Sequence, residues 1–334
     1  MNKRALAAAL ILSAALLTSC RRAETPSSSS PPEDPPQIQT LSIELPRELD
    51  SSAGESAMER LPELLTRAGA ETEAVCVTFG TSHGATAQAL EDGGVDLAFL
   101  PAGEFLQLCE TAVPILGAAA QAELCAGPSG YGAELAELAQ RRELTWAELD
   151  HARWGLLPED SDAGYRCVEL WLEDHWEGNG VCDLTNVTVY DSWTELLRAA
   201  AAEEIDLFPL SDEARQEAQD LWNLPADSRN ADGITGFGRT ASLSEEAAPI
   251  AETDRLFSWV AAVTPKNEAV NRESFQTALA SALPKAFSSP EEERSAIGSA
   301  AYAAIRPEDL NGLRRLEFGI SVTAAGLDTS RGCD

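Results

Sequence analysis

The 334-residue chain is short of positive charge and of histidine, and it has no long apolar run. Its 24 lysines and arginines stand against 55 aspartates and glutamates, a formal charge of −31. That balance excludes nucleic acid as a partner, because a phosphate backbone is held by clustered Lys and Arg. The same acidity favours solubility and repels free anions outside any local positive site. The apolar stretch Ala5 to Leu17 has 13 residues, whereas crossing a bilayer takes about 20. The three histidines lie apart, and no CxxC or Cys/His spacing of a zinc site occurs. Nor is there a G-x-S-x-G, HExxH or P-loop pattern. No cofactor, no metal and no catalysis are therefore expected.

What is present begins with a leader pattern. Lys3 and Arg4 precede the apolar stretch, and Leu17-Thr18-Ser19-Cys20 follows it. This reads as a signal peptide over residues 1–19 that ends in a lipobox, with Cys20 as the lipidated first residue of the mature chain. Residues 20–36, rich in Ser and Pro, form an extended tether that holds a folded body off a bacterial membrane, outside the cytoplasm. Loss of Lys3 and Arg4 takes the formal charge to −33. About 300 residues then remain, more than one core accommodates, so two lobes are expected. Six further cysteines, Cys76, Cys109, Cys125, Cys167, Cys182 and Cys333, are an even number in an exported chain and favour disulfides over metal ligation. Cys109 with Cys125 and Cys167 with Cys182 are the local pairs, among 15 possible connectivities.

The organising stretch is Cys76 to Leu108. Val75, Val77 and Phe79 form a strand that closes at Gly80-Thr81-Ser82; Ala85, Ala89 and Leu90 carry a helix stopped by Gly93-Gly94; Val95 to Leu100 is a second strand ending at Pro101. Such a βαβ unit places its strands parallel and gathers helix N-termini and strand C-ends along one edge, where ligands of open α/β sheets sit. The unit recurs at Asn186 to Leu210, where Val187 and Val189, a Ser192-capped helix and Ile205-Asp206-Leu207-Phe208 repeat the order, and IDLFPL echoes VDLAFLP. Before it, Arg153 to Leu157 is a strand, and Glu159 to Tyr165 is a polar loop opening a helix through Val168, Leu170, Trp171 and Leu172. Ahead of the first unit, Gln37 to Glu44 is a strand, followed by a helix through Met58, Leu61 and Leu65. Val113 to Cys125 leads into a crossover, Gly233 to Gly238 suggests a hinge or cleft segment, and Leu256 to Val263 is a strand. Helices are expected over 267–287 and 291–305.

At FGTSHGATAQALEDGGVDLAFLP, EDSDAGYRCVELWLEDH and LLRAAAAEEIDLFPLSDEA, the sequence resembles the phosphate/phosphite/phosphonate-binding lipoproteins of ABC importers, over most of residues 38–320. The resemblance implies an α/β, two-lobed, type II periplasmic-binding fold, each lobe a mixed, mainly parallel sheet flanked by helices. Lobe one would take residues 37–126 plus 231–334 and lobe two residues 127–230. It also implies a monomer that takes a small-molecule ligand, phosphonate-like or amino-bearing, to a permease and its ATPase. Carried over residue by residue, the ligand-binding positions are Thr81, Ser82, His83, Phe105, Ser161, Asp162, Ala163, Gly164, Tyr165 and Ser211. The turns at Ser82 and Ser161 should face one crevice. The 161–165 loop departs from the family's hydroxyl-rich pattern, since only Ser161 carries a hydroxyl before Tyr165 and Asp162 brings a carboxylate where an oxyanion would sit. A same-fold lipoprotein that serves as a sensory or interaction module is the other reading of these residues. Neighbouring genes for an ATPase and a permease separate the two.

Overall fold

Serine caps set the helix starts of this protein, and two buried aspartates tie its strands together. The computed structural model describes residues 37–47, 49–176, 178–318, 321–323 and 326–328. The leader, Cys20, the tether and Cys333 lie outside the described residues. Among the described residues, no helix is long and apolar enough to cross a membrane.

The chain opens with β1 (Gln37–Leu45), whose Leu41, Ile43 and Leu45 alternate into the core. The single helix expected next is two, α1 (Ser51–Met58) and α2 (Leu61–Ala68), because Pro62 fits only the first turn of a new helix. Then come β2 (Glu71–Phe79), α3 (His83–Asp92), β3 (Leu97–Pro101), α4 (Ala102–Leu108) and β4 (Val113–Ala120). The Ser82 hydroxyl caps α3 by accepting the Ala85 amide at 3.2 Å, and Gly93, with φ +77°, ends it.

The chain passes into a second sheet with β5 (Glu123–Ala126), then α5 (Gly130–Arg141), α6 (Trp146–His151), β6 (Trp154–Leu156), a π-helical turn (Asp162–Arg166) continuing as α7 (Cys167–His175), β7 (Val187–Val189), α8 (Trp193–Ala201), β8 (Leu207–Leu210), α9 (Asp212–Trp222), α10 (Leu243–Glu246) and β9 (Ala248–Glu252). The return brings β10 (Leu256–Val263), α11 (Glu273–Ala282), α12 (Pro290–Ile297), β11 (Ala303–Ala304) and α13 (Asn311–Phe318), before two short antiparallel strands, Ser321–Thr323 and Gly326–Asp328. Helix α12 stops at Gly298, φ +85°, well short of the expected residue 305.

The first sheet runs β11-β4-β10-β3-β1-β2 and the second β7-β6-β8-β5-β9. Strand β1 lies between β2 and β3 and is parallel to both; β6 lies between β7 and β8 in the same way. Beyond these trios, each sheet accepts one reversed strand, β10 or β5, and then β4 or β9 on its far side, and in the first sheet the two-residue β11 adds a further edge beyond β4. The fold is thus α/β, with two mixed sheets that repeat one strand order. Strands of the second sheet run from Glu123 to Glu252, wider than the 127–230 span expected of lobe two. Both sheets belong to one compact unit.

The aspartate of each echoing motif is the internal tie. Asp96 accepts the Ser42 amide at 2.8 Å, the Ser42 hydroxyl at 2.7 Å and the Asn267 amide at 2.7 Å. Asp206 accepts the Arg153 backbone amide and Nε at 2.9 Å each, Arg153 Nη2 at 2.6 Å and the Ser129 hydroxyl at 2.6 Å. Each one fixes the start of β3 or β8 to the middle strand of its parallel trio, β1 or β6. Apolar side chains cover both faces, with Leu41, Met58, Phe99 and Phe275 on one side of the first sheet and Leu90, Leu100 and Val260 on the other. Phe208 and Trp222, then Trp154 and Leu172, do the same for the second.

Two expectations are corrected. Cys76, Cys109, Cys125 and Cys167 are free thiols, so neither local disulfide forms. Cys109 ends α4 beside Phe105, whereas Cys125 lies in β5 of the other sheet, and burial pushes both thiols up to about 12. Cys167 is buried with its Sγ 3.6 Å from the Ala120 carbonyl, while Cys182 is exposed. The 233–238 segment, expected at the hinge or cleft, packs instead against the end of α9 and the loop after it, with Phe237 N donating to Leu221 O at 2.9 Å and Gly238 N to Leu224 O at 2.8 Å, and the chain passes between the sheets elsewhere.

Candidate functional site

Two short crossovers join the sheets, Gln121-Ala122 after β4 and Thr253 to Arg255 after β9. They are bonded to each other. Thr253 N donates to Ala122 O at 2.9 Å, Thr253 Oγ1 donates to the same oxygen at 3.0 Å and accepts Ala122 N at 3.0 Å, and Gln121 Nε2 donates to Thr253 O at 2.8 Å. A buried threonine with every polar group used forms a fixed pivot.

Beside this pivot opens a cavity of about 1050 Å³. Its first-sheet wall comes from Gly117 to Gln121, Phe257-Ser258 and the strap 299–304; its second-sheet wall comes from Ser161, Ala163, Trp193 and Ser211 to Glu213. The second wall collects three helix starts, those of the π-helical turn, α8 and α9, and the first adds Pro290 at the start of α12. Such termini present backbone N–H groups and the positive end of the helix dipole. The strap is held from behind by Glu293, which is buried and accepts the Ala301 amide at 3.0 Å, with Ala301 at φ +60°. Burial raises the Glu293 carboxyl above its ordinary value, and its Oε1 meets no hydrogen-bond partner of good geometry among the described residues.

Of the ten residues expected to bind ligand, Ser161, Ala163 and Ser211 line this cavity. Each serine is also a cap, Ser161 Oγ accepting Gly164 N at 3.1 Å and Ser211 Oγ accepting Ala214 N at 3.2 Å. Each hydroxyl keeps its proton to donate. Asp162 faces away from the cavity lining and pairs with Arg166 at 3.1 Å. Arg166 also pairs with Glu317 of α13. Burial raises the Asp162 carboxyl, against the lowering effect of Arg166. Gly164 is packed under Leu157, where an added Cβ would lie 2.6 Å from the Leu157 Cβ. Tyr165 packs on the Trp154 cluster, and burial pushes its hydroxyl up to about 12. Phe105 is a core residue. Thr81 and Ser82 are exposed at the start of α3, and His83 stands edge-on to Trp259, with ring centres 6.1 Å apart. Ser82 and Ser161 therefore do not meet in this cavity, which forms beyond β10 and β4 while Ser82 follows β2 at the opposite edge of the sheet.

Two arginines that the sequence reading passed over line the site. Arg294 of α12 pairs with Glu213 of α9 across the cavity. Arg255, in the second crossover, has no hydrogen-bond or ion-pair partner among the described residues. An arginine placed directly before a strong strand, in TDRLFSWV, was the available signal. Away from the cavity, α13 ties the sheets on another side. Arg315 pairs with Asp174, one contact being 2.9 Å, and Leu310 and Leu313 share a cluster with Cys167 and Leu170. Among the described residues, no group of His, Cys, Asp or Glu could hold a metal ion.

No protein-family model matches the chain, and no curated protein matches it. Solved structures do align with it. A Xanthomonas citri protein solved with ATP is 12% identical, covers 84% of this chain and 97% of its own, and has a TM-score of 0.42. A binding component of an ABC phosphonate transporter from Pseudomonas aeruginosa is 13% identical over 84% and 86%, at 0.34. Transferrin 1 from Manduca sexta is 11% identical over 84% of this chain and 46% of its own, at 0.43.

Proposed function

We propose that the protein is an extracytoplasmic solute-binding lipoprotein of an ABC importer, a monomer held to the membrane at Cys20. In this reading it captures one small polar molecule, phosphonate-like or amino-bearing, between two lobes and hands it to a permease and its ATPase. The observation that carries the reading is the cavity itself. It lies beside a bonded pair of crossovers, is walled by both sheets, and is fed by helix starts, which is the arrangement that hinge closure around a ligand requires. Opening would break the Arg294–Glu213 pair and leave the Ala122–Thr253 pivot intact.

A thermal-shift screen of the mature protein against phosphonates, phosphite, amino acids and pyrimidine precursors tests this. A solute at a hundred times its Kd adds about 2.7 kcal/mol of stability, a shift of several degrees. Failure of every solute to raise the melting point would count against a receptor role.

A further inference from the structure

We infer that Arg255 receives the charged group of the solute, and that the cavity selects a singly charged anion, a carboxylate or a sulfonate, over a dianion. This rests on the receptor reading and narrows it. Two arginines, Arg255 and Arg294, line the cavity. Arg294 is engaged by Glu213 from the opposite wall. Arg255 is engaged by nothing described, and its backbone is fixed between buried Thr253 and buried Leu256. The Ser161 and Ser211 hydroxyls add neutral donors, since their capping bonds use the oxygens as acceptors and leave the protons.

The negative side of the lining sets the limit on charge. Asp212, Glu213, Asp254 and Asp309 all line the cavity. Glu213 is paired with Arg294 and Asp309 with Arg306 at 3.1 Å; Asp212 and Asp254 make no direct ion pair among the described residues, although Asp254 is near enough to Arg315 to stabilise its charge. One unpaired cation therefore stands against two unpaired carboxylates. A single negative charge on the solute is met by Arg255. A second one finds no unpaired cation in the lining and meets the like charges of Asp212 and Asp254.

Calorimetric titration with methanesulfonate, propanesulfonate, propionate and the matching methyl- and propylphosphonates tests the assignment. At about pH 9 a phosphonate is doubly charged, and near pH 5 it is singly charged, as for other phosphoryl groups with a second ionisation between these values. The sulfonates should bind at both values, and the phosphonates about tenfold more weakly than the sulfonates at the higher pH only. Arg255→Ala should weaken sulfonate binding at least tenfold, and Arg255→Lys should restore part of it. Arg255 is exposed and unbonded, so both variants should melt as the wild type does. Equal or tighter phosphonate binding at the higher pH, unchanged binding in Arg255→Ala, or no response to any singly charged anion would each overturn the inference. A neutral solute found by the wider screen would overturn it while leaving the receptor reading standing.

Discussion

Replacing Asp206 by alanine removes the acceptor for four hydrogen bonds at once. Its carboxylate is buried and takes the Ser129 hydroxyl, the Arg153 backbone amide and two nitrogens of the Arg153 guanidinium. After substitution, the Arg153 side chain, 48% exposed, can turn to water. The Ser129 hydroxyl, at 4% exposure, and the Arg153 amide cannot do so as easily. Breaking a buried charge pair costs about 3–5 kcal/mol, and the exposed arginine places this case at the low end, about 3 kcal/mol. For a chain of this size that is a fall of about 6–12 °C in melting temperature. Asparagine should cost about 2 kcal/mol, since its NH2 group must face donors on one side.

The pH dependence follows from the direction of the shift. Burial raises the Asp206 carboxyl, and hydrogen bonds from Arg153 and Ser129 outweigh that and leave it below the ordinary value of 3.8. The folded state therefore holds the ionised form more tightly than the unfolded chain does. The contribution is complete above about pH 4 and is lost as pH falls through the lowered value. The gap in melting temperature between wild type and Asp206→Asn, measured by calorimetry, should be constant from about pH 7 to 5 and close below about pH 4. A gap under about 2 °C at pH 7, or one that widens in acid, would refute the reasoning.

Two further outcomes are expected. Gly298→Ala places a Cβ 2.3 Å from the Trp259 ring at φ +85°, so it should cost about 2 kcal/mol and disturb the cavity strap, seen as a lower melting temperature and altered tryptophan emission. Glu293→Ala removes the acceptor of the Ala301 amide and should cost about 2 kcal/mol in urea unfolding, whereas Glu293→Gln keeps an acceptor, discards a buried charge and should stay within about 1 kcal/mol of wild type at neutral pH.

The strands and helix starts were legible in the sequence because their signals are local. Asp191-Ser192 before an apolar period marks a cap, and Ser192 does cap α8; Ser82 and Ser211, expected as ligand positions, turn out to cap α3 and α9 as well. The echo of VDLAFLP in IDLFPL marked two equivalent strands, each the second of its βαβ unit, and the matched bonds of Asp96 and Asp206 give the physical reason for the shared aspartate. The site was legible only in part, because it depends on which strand edges face one another. Ser161 and Ser211 follow β6 and β8 of one sheet and meet the cavity together. The first-sheet wall is built instead by β4, the start of β10 and the strap 299–304, none of which carries a local ligand signal. Arg255 and Arg294 lie 39 positions apart and line one cavity only through the return of the chain between the sheets. The disulfide expectation failed for a related reason, since sequence proximity of Cys109 and Cys125 conceals the passage from one sheet to the other between them.

The most direct test of the cavity as a solute site is to fill it. Ala300→Trp places an indole in the strap wall of the cavity. Melting temperature is then followed against rising concentrations of each solute that stabilises the wild type. The expected result is a concentration-dependent rise in the wild type and none in the filled variant. An equal rise in both proteins would place binding elsewhere and contradict the account.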